Sequence, residues 1–394
     1  MHELFRAAAL VTGIVALVAC YPQAESVVQE PITCDSQRHG ARLQPPSGVW
    51  FGVNLDLARD SPAKYSARLQ RRPSVYASFS PVPIDSVNGV YIDQAVEMLL
   101  ESGGMLLLTL EPHLGLESIT DAEADKIAAR LSRYNARGVL VLLRFAHEMN
   151  GSWYPWSQQP SAYVAAFNRV ARAVHRHAPG SAMLWAPNYG GGYPFALGEY
   201  QAQSASIDFP LLDTDKDGLL TAGDDPYAPY YPGDDSVDWV GMSLYHWGAK
   251  YPWGTNAVAE PAKFERMLEG KYHGSVGDER GLPNFYHDYG EARGKPVGVF
   301  ETAAFHAPSA RGADAMSVKA SWWQQVYEPG IPQRFPRLKM INWFEWDKHE
   351  VEVDARVDWT ATIDPTIRGA FRDALPEWLR YAGDIDFCRP LGGP

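Results

Sequence analysis

The sequence predicts a single α/β domain folded as a (β/α)8 barrel. Three observations predict it. Eight short apolar runs alternate with eight segments able to form helices, the order that builds a parallel sheet covered by helices. Several runs, such as Val-Leu-Val-Leu-Leu at 139–143, are apolar at every position, as in strands buried on both faces. The chain has 394 residues with no Ser/Gly-rich or Pro-rich linker, and one such barrel takes roughly 250 to more than 400 residues.

The strand candidates are 48–55, 74–80, 105–110, 139–145, 183–186, 237–245, 297–301 and 339–346. The clearest helix is 121–134, where Asp121 after Thr120 offers a cap and Ile127, Leu131 and Tyr134 recur on one face. Segments 161–177 and 313–327 behave alike. No repeat of solenoid length is present. Apolar residues make up 46% of the chain, enough for a large core, and the net charge of −12 lacks the basic surface that phosphate backbones require, which excludes a nucleic-acid partner.

Residues 1–19 carry Arg6 and then an apolar stretch from Ala7 to Ala19, the length of a signal-peptide core and short for a membrane span. The expectation is an exported chain, secreted or extracytoplasmic. Leu17-Val-Ala-Cys20 resembles a lipobox, so a lipid on Cys20 would be the chain's one membrane attachment. Residues 20–47 would form an extension, 48–385 the barrel and 386–394 a tail. Cys34 and Cys388 flank the barrel, and in an exported protein such a pair suggests a disulfide. A monomer is expected.

Barrel sites lie at the carboxyl ends of strands. The fourth run ends in Arg144-Phe-Ala-His147-Glu148-Met-Asn150-Gly151-Ser-Trp153-Tyr154-Pro-Trp156. Strand alternation puts Leu142, Arg144, Ala146 and Glu148 on one face, with Glu148 at the rim, either as a catalytic carboxylate or as a polar residue closing a strand. The seventh run ends in Glu301 and the sixth in Tyr245, a phenol able to hydrogen-bond a carboxylate or simply to pack. Two strand-end carboxylates suit retaining glycoside hydrolysis, which holds its pair about 5–5.5 Å apart.

These three strand ends resemble glycoside hydrolase family 26, known best for β-mannanases, over roughly residues 48 to 385. The resemblance implies a (β/α)8 barrel and a retaining mechanism, with Glu148 as acid/base, Glu301 as nucleophile, Tyr245 as its partner, and His147 and Trp153 beside the acid. It implies a polysaccharide substrate, β-1,4-mannan first, with mixed-linkage β-glucan or β-1,3-xylan as alternatives, and no catalytic cofactor. A carbohydrate-binding lipoprotein without activity is the rival from another class. Strand-end rings and polar tips supply further substrate-binding candidates: His113, Arg144, His147, Trp153, Trp156, Asn188, His246, Trp247 and Trp343. Each tryptophan has a core-packing alternative, and His113 that of a structural imidazole.

An insertion after the fifth strand reads Asp213-Thr-Asp215-Lys-Asp217-Gly-Leu219-Leu-Thr221-Ala-Gly-Asp224. It matches an EF-hand loop: carboxylates at positions 1, 3, 5 and 12, Gly at 6, the Leu219 carbonyl at 7 and Thr221 at 9. Position 12 is Asp where Glu is usual. The loop is either a structural Ca2+ site or a solvated acidic turn.

Overall fold

The computed structural model describes residues 43–385 apart from Leu197 and 275–280. Cys20, Cys34 and Cys388, and with them the signal-peptide, lipid and disulfide expectations, lie outside the described residues.

Eight parallel strands close into a barrel: β1 (Val49–Leu55), β2 (Val75–Pro81), β3 (Met105–Glu111), β4 (Val141–Phe145), β5 (Ser181–Trp185), β6 (Trp239–Ser243), β7 (Val297–Thr302) and β8 (Leu338–Glu345), with β8 paired back to β1. All eight predicted runs form strands, with edges moved by up to a few residues. Alternation sorts their side chains into two layers. Trp50, Ala77, Leu107, Leu142, Leu184 and Met340 pack in the barrel interior. Their neighbours Phe51, Tyr76, Leu108, Leu143 and Ile341 face the helices.

The helices include α1 (Pro62–Leu69), α2 (Ser86–Ser102), α3 (Asp121–Ala136) and α4 (Pro160–His177). Short polar side chains start several of them. Ser61 and Asp85 cap α1 and α2, and Thr120 rather than Asp121 caps α3, its hydroxyl accepting from Glu123 N at 3.2 Å.

The regular alternation fails after β5. Among the described residues the chain there makes only the single turn α5 (Phe209–Leu212) and a 3-10 turn at Ala228–Tyr230 before β6, and after β6 only α6 (Lys263–Leu268) and a π-helical segment Tyr286–Glu291. Aromatic rings cover the sheet instead: Phe285, Tyr289 and Tyr231 lie 5.7, 4.7 and 4.9 Å from the Trp185 ring. Beyond β7 come α7 (Ala315–Val326) and the single turn α8 (Ile331–Arg334), and beyond β8 a hairpin, β9 (Asp347–Glu350) with β10 (Ala355–Asp358), then α9 (Pro365–Ala374) and β11 (Leu379–Arg380), which adds to the edge of β1. No helix among the described residues is long and apolar enough to cross a membrane.

Candidate active site

Glu148 and Glu301 both reach the mouth, by different backbone devices. β4 ends at Phe145, and Ala146 and Glu148 adopt left-handed φ of 46° and 54°, so Glu148 is not carried by simple strand alternation. Adjacent strands fix the turn: Ala146 N donates to Leu110 O at 2.9 Å and Glu148 N to Ala186 O at 2.8 Å. Such backbone is costly outside glycine and persists where surroundings over-determine it. Asn150, fully buried, locks the next turn to the loop after β5, donating to Asn188 O at 2.9 Å and accepting from Asn188 N at 2.8 Å.

On β7, Val297 and Val299 face the helices, and plain alternation would point Glu301 outward too. A β-bulge intervenes. Met242 pairs with Val299 but Ser243 with Glu301, and on the other side Ile341 pairs with Val299 but Trp343 with Thr302. One extra residue on β7 therefore opposes both neighbours, and the parity flips at Phe300. The Phe300 ring fills interior space left by Gly241 and Gly298, where a Cβ would overlap it. Glu301 then turns inward, and Thr302 outward to accept from Trp322 Nε1 at 2.8 Å.

Glu301 is held on both oxygens. Arg144 Nη2 donates to Oε1 at 2.5 Å and the Tyr245 hydroxyl to Oε2 at 2.6 Å. Arg144 is itself fixed by Nε donating to Thr109 Oγ1 at 2.8 Å and by the Phe79 ring at 5.2 Å. Burial and the neighbouring carboxylate push the Tyr245 phenol well above its usual pKa, so it stays a donor.

Glu148 sits in a different environment. Trp153 Nε1 donates to Oε2 at 3.1 Å, and Gly151 makes room for that ring, since a Cβ there would approach it to 2.5 Å. Burial, then the charge of Glu301, raise the Glu148 pKa to about 7. Burial and Arg144 hold His147 well below its usual value, hence neutral; its ring is enclosed by Phe79, Tyr154 and Trp156 at 6.0, 5.2 and 6.0 Å. At the end of β3 a third carboxylate, Glu111, has its pKa raised by burial and lies 3.5 Å from exposed His113. Trp247 is half-buried against Trp359 and Phe305 at 4.9 and 5.9 Å, and Asn188 is half-buried on the loop after β5.

Four substrate-binding expectations are corrected by burial. Arg144 is fully buried beneath Glu301 and positions it. Trp156 is fully buried, donating to His147 O at 2.7 Å and stacked on Tyr154 at 4.4 Å. His246 is buried, hydrogen-bonded to Ala257 O at 2.8 Å and stacked on Trp322, and burial lowers its pKa to about 4. It is neutral, with its proton on Nε2, since a carbonyl only accepts. Trp343 faces the helices, 5.0 Å from Phe371; the ring at the mouth end of β8 is half-buried Trp346, stacked on Phe344 at 5.8 Å, and Phe344 touches Tyr245 at 5.7 Å. Asn150 and Phe344 carried no sequence signal of their own.

In the acidic loop, Asp213, Asp215 and Asp224 offer carboxylate oxygens within 4.8 Å of one another. Buried Asp224 accepts from the backbone N–H of Thr214, at 2.6 Å, and of Thr221, at 2.8 Å. Lys216 and Gly218 take left-handed φ of 61° and 83°. Asp217 stands outside the trio, its Oδ1 accepting from Leu219 N at 2.8 Å, and Thr221 Oγ1 accepts from Gly223 N at 3.0 Å.

A (β/α)8 barrel with one raised-pKa glutamate and one doubly held glutamate at its mouth is of the glycoside-hydrolase type. The sequence model described as Glycosyl hydrolase family 26 matches residues 115–186. Endoglucanase H of Acetivibrio thermocellus is 23% identical over 288 residues, covering 71% of this chain and 25% of that protein, so the chain spans about a quarter of that relative's length. Among solved structures, a modular endo-beta-1,4-mannanase from Cellulomonas fimi superposes with TM-score 0.57 at 13% identity, covering 90% of this chain and 76% of that one. The catalytic domain of an endo-beta-1,4-mannanase from a Bacillus species gives 0.55 at 15%, covering 89% and 92%. These structures share the fold. The likeness to glycosyl hydrolase family 26 thus covers residues 115–186 in sequence, and the solved structures extend it to the barrel fold.

Proposed function

We propose that the protein is an exported retaining endo-glycosidase that cleaves β-1,4-mannan, with Glu148 as acid/base and Glu301 as nucleophile. The observation that carries this reading is the contrast between the two glutamates: one is kept protonated to about pH 7 by burial and by its neighbour's charge, the other is held by a guanidinium and a phenol.

In the first step Glu148 gives its proton to the glycosidic oxygen while the Glu301 carboxylate attacks the anomeric carbon and the C–O bond to the leaving sugar breaks. Forming the ester removes the charge of Glu301. One cause of the raised Glu148 pKa then vanishes, and the carboxylate left behind is suited to take a proton from water. That water attacks the same carbon and releases Glu301. Trp153 holds the Glu148 carboxyl in place, and its half-exposed ring, with those of Trp247 and Trp346, offers faces for sugar C–H groups.

The mannan assignment rests on the mannanase neighbours in fold, while the relative named Endoglucanase H favours β-glucan as the second reading. Export rests on the apolar stretch from Ala7 to Ala19. We also propose that the acidic loop holds one Ca2+ through Asp213, Asp215 and Asp224, with Asp217, the Leu219 carbonyl and Thr221 completing the shell, directly or through water. Neither glutamate needs it for chemistry. Purified protein incubated with mannan, glucomannan, lichenan and β-1,3-xylan, assayed for new reducing ends, tests the substrate: mannan is expected to be cleaved fastest. Binding without turnover on all four would overturn the enzymatic reading.

A further inference from the structure

The loop between β6 and α6 leaves the mouth two residues beyond Tyr245, and its base is rigidly tied. His246 is bonded to Ala257 O at 2.8 Å, Asn256 exchanges hydrogen bonds with Ala307 (Nδ2 to O at 3.0 Å, Oδ1 from N at 2.9 Å), and Lys263 Nζ donates to Gly248 O at 2.8 Å. Its tip differs. Tyr251 is 70% exposed, and its ring stands 5.8 Å from that of half-buried Trp253 at 85°. The Trp253 ring lies over Gly248, where a Cβ would be 3.7 Å from it. Gly248 follows Trp247, whose ring is 6.4 Å from that of Tyr245, which donates to Glu301. Aromatic contacts thus lead from the nucleophile to Trp247, and the next residue, Gly248, lies under the Trp253 ring beside the exposed tip.

We propose that Tyr251 and Trp253 form a distal subsite that stacks a pyranose ring of the bound glycan, several sugars away from the cleaved bond on the Tyr245 and Trp247 side. An exposed tyrosine ring against a half-buried tryptophan on a braced base is not explained by core packing. The continuity with the mouth selects the occupant: the same neutral β-linked chain that the two glutamates cleave. The inference rests on the glycosidase reading above and makes the enzyme sensitive to chain length.

The test compares the wild type with Tyr251→Ala/Trp253→Ala on a β-1,4-manno-oligosaccharide series from trisaccharide to hexasaccharide. The double variant is expected to lose about tenfold in kcat/KM on the hexasaccharide, largely through KM, as when an exposed binding aromatic is truncated, and nothing on the trisaccharide. Trp253→Phe keeps a ring and should recover most of the loss. Equal rates at all lengths, or an equal loss at all lengths with an unchanged melting temperature, overturns the subsite. If the wild type cleaves none of the series, the glycosidase reading fails on its own. Calorimetric titration of hexasaccharides of mannose and of glucose into the full chain then decides the subsite: weaker binding by the double variant supports it, and equal or absent binding overturns it.

Discussion

Replacing Glu148 by Gln should change the pH dependence of stability in a direction opposite to that of an ordinary salt-bridged carboxylate. The folded-state pKa stands at about 7 against 4.5 for an unperturbed glutamate, chiefly through burial. Between these values the native state holds a proton that the unfolded chain has lost, so stability falls as pH rises through that window. The span corresponds to about 3 kcal/mol, at about 1.36 kcal/mol per unit. Below pH 4.5 both states are protonated, and above pH 7 both are ionised. Urea unfolding of the wild type and of Glu148→Gln at pH 4 and at pH 8 measures it. Gln cannot ionise, so the variant should gain about 3 kcal/mol relative to the wild type on going from pH 4 to pH 8. A constant difference between the two proteins would refute the raised pKa and the acid role built on it. The alkaline limb of kcat/KM for the wild type should fall at about the same pH.

Three further outcomes follow from the geometry. Arg144→Met leaves the buried Glu301 carboxylate without its cation; it should cost about 3–5 kcal/mol of stability and lower kcat far more than it raises KM, read from unfolding and steady-state kinetics. Azide should restore turnover of an activated aryl glycoside by Glu148→Ala and give the β-glycosyl azide by NMR, because a small anion can replace base-activated water once the covalent intermediate exists. EDTA should lower the melting temperature before it lowers activity, since calcium at a hundredfold excess over its Kd adds about 2.7 kcal/mol; unchanged melting with no calcium in the purified protein would leave the loop a hydrogen-bonded acidic turn.

The barrel was legible because its signal is redundant: eight apolar runs survive errors at their edges. The strand-end glutamates and Tyr245 were legible as residue types at the right ends. Their orientation was not. Glu301 faces inward only because one extra residue on β7 reverses the alternation, and nothing in Val-Gly-Val-Phe-Glu-Thr announces a bulge beyond Gly298, which makes room for Phe300. Glu148 reaches the mouth through left-handed backbone, where a strand pattern no longer applies. Trp343 was misplaced for the complementary reason: without the phase of β8, position 343 and position 346 look alike, and only pairing shows which ring meets the helices. Trp156 and His246 show that a polar tip beside a motif can serve the loop that carries the motif. The helix expected after the fifth strand gave way to aromatic packing on Trp185, a tertiary arrangement that no local periodicity encodes.

The division of labour between the two glutamates is tested most directly by trapping the covalent intermediate. Incubation with a 2-deoxy-2-fluoro-β-mannosyl fluoride, followed by peptide mass mapping, should place one fluorosugar on Glu301, the carboxylate held by Arg144 and Tyr245. A label on Glu148 or on any other residue, or turnover of a natural chain with inversion at the anomeric carbon, would contradict the account.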